Sequence, residues 1–345
     1  MPLAAEPLRV ATWHVELSRK GPGLLLRDIL RGDDPQVEAV ALLLAEARPD
    51  ILLLTDIDHD LDLAALRALR DRVAEGGPAY PHLYGPKQTS GRGSGQDVDG
   101  DGRMGEPEDS LGFGFFTGEG GIALLSRHPI DADAAQDFSG FLWRDLPGTL
   151  IGGAEVPQAA QSVLPLSSTA HWAVPVNVHG ARLTLLAFSA SPPVFDGPED
   201  RNGRRNHDEV IFWQHHLDGR IGTPPEGPFV LLGNANLDPS DGQGRPAAIR
   251  SLLTDPRLQD PRQGDPRAAE EANPEQTGDP ALDTANWDDP DPGNLRVDYV
   301  LPSADLNVRD SGTIWPAPDT LAARASRHAL VWVDLDWPPA ATSGE

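Results

Sequence analysis

Leu8-Arg9-Val10-Ala11-Thr12-Trp13-His14-Val15 alternates along its length and is rich in β-forming residues, so it reads as a strand. The next sixty residues set the architecture around it. Leu24 to Leu26 is a short apolar run, and Pro35 to Ala47 then reads as a helix, with Asp34 as N-cap and proline in its first turn. Pro49-Asp50 ends that helix. Ile51 to Leu54 is a continuous apolar run, the mark of a strand buried on both faces. Leu63 to Glu75 reads as a second helix. Strand, helix, strand and helix in this order predict an α/β layered fold.

Farther along, Gly121 to Leu125, Leu183 to Ser189, Phe229 to Leu232, Val297 to Leu301 and Ala329 to Leu335 read as strands, and Asn206 to Asp218 as a helix. Residues 85–120 are rich in Gly and Asp and form a long loop. Residues 256–293 are an acidic, Pro-rich insertion, within which Asp283 to Asp291 is expected to be a solvated loop. Many strands, few helices and long loops suit two packed sheets with helices outside. No internal repeat and no linker divides the chain, so residues 1–345 are expected to form one domain.

Composition narrows the function. The net charge is −25, and such a surface repels a phosphate backbone, which disfavours tight non-specific binding to nucleic acid. It leaves room for a metal-bridged phosphoester, because a bound cation inverts the local field. Lys20 and Lys87 are the only lysines, and there is no cysteine, which excludes disulfides and thiolate chemistry. No apolar run reaches the roughly 18–20 residues that span a bilayer. Met1 to Arg9 lacks a basic-then-apolar signal pattern. A periplasmic or secreted location is expected if a leader has been removed, and a cytoplasmic one otherwise. A monomer is expected.

Five strand ends are each followed at once by polar residues. They are Ala11-Thr12-Trp13-His14-Val15-Glu16, Leu54-Thr55-Asp56-Ile57-Asp58, Leu232-Gly233-Asn234-Ala235-Asn236-Leu237-Asp238, Arg296-Val297-Asp298-Tyr299 and Ser326-Arg327-His328. Ligands gather where strands end and loops vary. Hard oxygen donors with an imidazole suit Mg²⁺ or Mn²⁺ and a phosphate.

This order of motifs resembles the endonuclease/exonuclease/phosphatase family over nearly the whole chain, roughly Leu8 to Leu335. The family pattern is a strand ending in Asn, a strand ending in Gln-Glu, a Gly-Asp-x-Asn turn and a C-terminal Ser-Asp-His. Gly121-Ile122-Ala123-Leu124-Leu125-Ser126-Arg127 is similar to its Gly-x-Ala-x-Leu-Ser-Arg strand, and Pro192 to Glu209 looks like a segment of one bacterial subgroup. The resemblance implies a four-layered α/β sandwich, two mainly antiparallel sheets packed face to face with outer helices. It also implies hydrolysis of a phosphomonoester or phosphodiester, with a small or extracellular substrate suiting the charge better than duplex DNA. Carried over by position, Asp56 would be the metal-holding acid, with Asp58 and Glu16 as further candidates, Asn236 would orient the phosphate, and His328 would be the C-terminal His.

Several positions depart from that pattern. His14 stands for the first-strand Asn, Asn234 for the Asp of the turn, Arg327 for the Asp before His328, and Asp56 for the usual Glu. Ser189 takes the place of a strand-end His. An amide accepts no proton usefully, so His14 or Asp298 is the candidate base in a rebuilt site, and Arg327 a candidate phosphate clamp. The alternative is a catalytically degenerate member that acts as a binding protein.

A second site is read from spacing alone. Asp97-Val98-Asp99-Gly100-Asp101-Gly102-Arg103 fits a calcium loop, with oxygen ligands at positions one, three and five and Gly at six. Arg103 would give its carbonyl, and Glu108 or Asp109 would close the sphere around a structural Ca²⁺. His207, His215 and His216 are expected on a surface helix with Trp213, and Arg201, Arg204 and Arg205 are expected either to attract phosphate or to pair with Glu199, Asp200, Asp208 and Glu209.

Overall fold

The structure, a computed structural model, describes residues 6–287, 292–315 and 320–339. Its elements begin with β1 (Glu6–Leu17), α1 (Leu24–Arg31), α2 (Pro35–Ala47), β2 (Ile51–Ile57), α3 (Ala64–Ala74), β3 (His82–Tyr84) and β4 (Gly121–Ser126). There follow β5 (Gln136–Asp137), α4 (Gln158–Gln161), β6 (Ala170–Val178), β7 (Ala181–Ser189), α5 (Arg201–Leu217), β8 (Phe229–Asn234), α6 (Ala247–Leu253) and α7 (Pro266–Glu270). The chain closes with β9 (Ala285–Asn286), β10 (Asn294–Leu295), β11 (Asp298–Pro302), β12 (Val308–Ile314) and β13 (Leu330–Trp337).

Two main sheets form, in the orders β12-β13-β1-β2-β4-β3 and β11-β8-β7-β6-β5. Only β1 with β2 and β7 with β8 pair in parallel within them, so both are mixed and mainly antiparallel. The two parallel pairs are joined by what parallel strands require, a helical crossover: α1 and α2 between β1 and β2, and α5 between β7 and β8. This is the α/β sandwich with outer helices that the sequence led us to expect.

Alternation along the strands builds the layers. Leu8 and Val10 of β1, Ile51 and Leu53 of β2, and Val331 and Val333 of β13 pack between the sheets against Trp172, Val174, Leu185, Val230 and Leu232. The other parity, Trp13, Val15, Leu52 and Leu54, packs under Val37, Leu44, Leu66 and Leu69 of the first helices. On the far sheet, Leu186, Phe188 and Leu231 meet Phe212 and Trp213 of α5 and Ile249 of α6. β2 is therefore covered on both sides, which is why it reads as an unbroken apolar run.

Helix α2 starts as its sequence demands, with the Asp34 carboxylate accepting from the backbone N–H of Gln36 at 2.9 Å and of Val37 at 3.0 Å. Two expectations are corrected. α5 is not a surface helix, because Trp213 and His216 are fully buried and its inner face lies in the core. The stretch from Asp283 is not a solvated loop either: Asp283, Thr284 and Ala285 are buried, and β9 pairs with β10. Residues 288–291 of that stretch lie outside the described residues. No helix among the described residues is long and apolar enough to cross a membrane.

Candidate functional site

The parity that builds the core also supplies the site. On β1 the side facing the other sheet carries Leu8 and Val10, so alternation brings Thr12 and His14 to that side, above the last apolar layer. The same count sets Ser189 beyond Leu183, Leu185 and Ala187, Asn234 beyond Val230 and Leu232, and Asp298 two residues before Val300. β1, β2, β7 and β8 end at this rim, whereas β11 and β13 begin there.

Asp56 arrives by a different route. With Leu52 and Leu54 pointing to the helix layer, strict alternation would send it there too. Instead the register of β2 shifts between Thr55 and Ile57, and Asp56 has a left-handed φ of 55°. This bulge turns its side chain into the cleft. Glu16 (φ 51°) sits at a matching shift in β1, between His14 and Leu17, and Asn236 (φ 48°) at the turn after β8. Three candidate residues thus occupy left-handed backbone, where non-glycine residues are rare and functional sites concentrate.

Asp298 is the hub of the buried part. Its carboxylate lies 2.7 Å from His328 Nδ1, accepts from Asn234 Nδ2 at 2.8 Å, and accepts from the Thr284 hydroxyl at 3.1 Å. Both Asp298 and His328 are buried. Asn234 Oδ1 is buried with no partner among the described residues. Trp287 meets the His328 ring edge-on at 5.1 Å, and His14 lies over it with centroids 4.2 Å apart.

His14 connects this hub to the open cleft. Its Nδ1 is 3.0 Å from Thr55 Oγ1 and its Nε2 is 3.7 Å from Asp56 Oδ2. Burial, and then the neighbouring His328 ring, lower its pKa below the usual imidazole value, so it is neutral at pH 7. Among the described residues no hydrogen bond reaches the Asp56 carboxylate. The cleft beyond measures about 810 Å³ and is lined by His14, Asp56, Ser189, Asn236, Arg201 and Arg205, among others. Asn236 is anchored on its wall by a 2.8 Å bond from Nδ2 to the carbonyl of Ala190.

The remaining candidates lie apart. Glu16 accepts from Arg327 through the backbone N–H at 2.8 Å, Nε at 2.8 Å and the terminal guanidinium nitrogen at 2.5 Å. Burial raises the Glu16 carboxyl, but these bonds outweigh it and hold the group below its ordinary value. Glu16 and Arg327 therefore engage each other. Asp58 is buried away from the main cleft and accepts from the backbone N–H groups of Arg19 at 3.0 Å and Gly120 at 3.3 Å. Burial pushes it up to about 7, with Asp56 and Glu119 adding to the rise.

The arginines of α5 do not pair as the sequence suggested. Arg205 donates to the carbonyls of Leu166, Leu111 and Pro165, Arg204 to that of Glu199, and Arg201 to those of Ala154 and Asp99. The carboxylates are used elsewhere: Asp208 accepts from Trp143, Thr149 and Leu150, and Glu209 from Ser168 and Ser191. Asp208 also lies 3.0 Å from His207 Nδ1, and buried carboxylates next to fixed backbone N–H and hydroxyl groups are satisfied without an arginine. The arginines are left clamping the loops that wall the cleft.

In the acidic loop, Asp97, Asp99 and Asp109 bring one carboxylate oxygen each to within 4.8 Å of one another. Asp101 and Glu108 are outside this group. Asp101 accepts from the backbone of Arg103 at 2.8 Å, and Glu108 lines the cleft.

Sequence reading missed the partnership of Asp298 with His328, together with the roles of Thr284 and Trp287. The available signal was the inward parity of Asp298 at the start of a strand whose other inward residue is Val300.

A sequence profile of the Endonuclease/Exonuclease/phosphatase family matches residues 26–328. Among solved structures, an endonuclease/exonuclease/phosphatase from Beutenbergia cavernae is similar at 19% identity and a TM-score of 0.55, over 96% of this chain and 71% of that one. A family protein from Leptotrichia buccalis is similar at 18% identity and 0.53, over 96% and 100%. Sphingomyelinase C from Streptomyces griseocarneus is similar at 18% identity and 0.51, over 95% and 99%. At such identities the likeness concerns the fold. No curated protein matches the chain.

Proposed function

We propose, from the premise that the chain belongs to the endonuclease/exonuclease/phosphatase family, that it is a divalent-metal-dependent phosphoesterase acting on a small phosphomonoester or phosphodiester. One observation carries this reading: the Asp56 carboxylate, which receives no hydrogen bond among the described residues, lines an open cleft 3.7 Å from the His14 imidazole, whose ring lies over that of His328.

That donor set fits Mg²⁺ or Mn²⁺, since the carboxylate is a hard oxygen ligand with the rest of its sphere left to water and substrate. When bound, such an ion polarises a phosphoryl oxygen and acidifies a water. The chain's own residues do the rest. Asp298 holds His328 with its proton on Nδ1 and so fixes the ring on which His14 rests. Asn236 and Ser189 offer an amide and a hydroxyl to phosphate oxygens, and Arg201 and Arg205 lend positive potential from the cleft wall. The net charge of −25 favours a small or extracellular phosphoester over duplex DNA. In the acidic loop, a Ca²⁺ at Asp97, Asp99 and Asp109 would stiffen the wall that Arg201 clamps through the Asp99 carbonyl.

Hydrolysis of a bis-aryl phosphodiester and the matching monoester, with Mg²⁺ or Mn²⁺ against chelator, tests the proposal. Turnover lost in Asp56→Ala and His328→Ala supports it, and unchanged turnover in both overturns the site assignment.

A second reading is a binding protein without turnover. It rests on Asn234 at the position of the expected Asp, and on His14 and Trp287 covering His328. Activity that appears only after Asn234→Asp, Ser189→His and His14→Asn are combined would favour it.

A further inference from the structure

An oxygen-ligated cation accounts for Asp56 but leaves the geometry of His14 without a use. We propose that His14 Nε2 is a metal ligand alongside Asp56, and that the site therefore prefers a borderline divalent ion (Co²⁺ or Zn²⁺) to Mg²⁺. The inference rests on the metal-dependent reading of this cleft.

Two features of the side chain carry it. First, its orientation is fixed by Thr55, whose buried hydroxyl lies 3.0 Å from Nδ1. A hydroxyl that accepts from Nδ1–H there presents Nε2 to the ion as a bare lone pair, as the second partners of ligating histidines do. Second, Nε2 faces the carboxylate of Asp56, which receives no hydrogen bond among the described residues. Two ligands bound at about 2.1 Å stand about 3.4 Å apart at a tetrahedral angle and about 3.0 Å apart at a right angle. The observed 3.7 Å lies within a few tenths of an ångström of the first.

The consequence for metal choice is chemical. Mg²⁺ demands oxygen donors and near-ideal octahedral geometry, whereas imidazole suits the later first-row ions. An Asn at position 14, the residue the family pattern carries, offers only an amide.

The experiment is pulsed EPR of Mn²⁺ bound to the resting full-length protein, without substrate, read for modulation from a directly coordinated ¹⁴N. The acidic loop at residues 97–109 has only oxygen donors among its candidate ligands, so a cation bound there gives no such signal. Wild type is expected to show the coupling, and His14→Asn to lose it while Mn²⁺ affinity falls about tenfold or more and Mg²⁺ affinity stays within about twofold. Thr55→Val is expected to weaken Mn²⁺ binding by about 10–100-fold with the coupling retained at saturation. Bound Mn²⁺ with oxygen-only surroundings in wild type overturns the assignment, as does a wild-type protein that binds no Mn²⁺. Because the wild-type spectrum decides the question, the test survives a variant that fails to fold. It also stands apart from turnover: a protein that shows the coupling and hydrolyses no phosphoester would contradict the enzymatic reading and leave His14 as a ligand.

Discussion

Replacing Asp298 separates the structural role of the buried hub from its chemistry. The carboxylate serves three donors: Asn234 Nδ2, the His328 ring and the Thr284 hydroxyl. In Asp298→Ala the hydroxyl can rotate to another acceptor, but the amide and the imidazole N–H stay fixed by their surroundings. Each buried donor left without a partner costs about 1–3 kcal/mol, so two cost about 2–6 kcal/mol. That is a large share of a total stability on the order of 5–15 kcal/mol. Asp298→Asn keeps one acceptor and the same shape, strands one donor instead of two, and is expected to lose about 1–3 kcal/mol. Urea unfolding at pH 7, followed by fluorescence of the eight tryptophans, measures both. The order of loss is Ala greater than Asn, and Asp298→Ala loses turnover because His328 is no longer held with its proton on Nδ1. Stability unchanged within about 0.5 kcal/mol in Asp298→Ala would refute the hub.

Gly233→Ala tests the strand crossing beneath the site. Its φ is 144°, and a Cβ would stand 1.9 Å from the Phe188 carbonyl oxygen, so β7 and β8 must part. A loss of about 3 kcal/mol or more in the same assay is expected. Asp283 links stability to pH. Burial, with Asp238, Asp241 and Asp279 adding to it, raises its pKa to about 7, although a bond from Gln276 opposes the rise. The folded state therefore holds a proton that the unfolded chain releases near pH 4, and the contribution of this group to stability is full below that pH and fades as pH rises through about 7. Asp283→Asn should flatten the decline between pH 4 and 7, and an unchanged slope would contradict the burial of that carboxyl. Ca²⁺ should raise the thermal midpoint of wild type by a few degrees and leave that of Asp97→Asn unmoved; equal shifts in both would place the ion elsewhere.

The layers of the fold were legible wherever one pattern governs a whole element. β1 alternates, β2 is apolar throughout, and α2 carries its own cap. β6 went unread because Pro175 and the polar residues His171 and Asn177 interrupt the pattern, although His171 is buried and satisfied by Ser167 and the Glu209 carbonyl. β12 is a partly exposed edge strand with Gly312 inside it, and it offers little periodicity. α5 begins at Arg201 rather than Asn206, because a first turn of arginines reads like a charged loop until its contacts with loop carbonyls are seen. The residues of the site were legible by type and by position at strand ends. Their partnerships were not. Asp298 and His328 meet only because β11 and β13 belong to different sheets that converge at one rim. The turning of Asp56 into the cleft depends on a bulge that sequence alternation does not announce.

Phosphoester hydrolysis in the cleft above Asp298 and His328, with a metal held at Asp56, is the proposal on which the other readings of the site depend. It is tested most directly by hydrolysis of a bis-aryl phosphodiester and its monoester by wild type and Asp56→Ala, across Mg²⁺, Mn²⁺ and Zn²⁺ and against chelator. Metal-dependent turnover is expected in wild type, falling by at least about 100-fold in the folded variant. Folded wild-type protein that turns over neither ester with any of these metals, or turnover that survives the loss of Asp56, would contradict it.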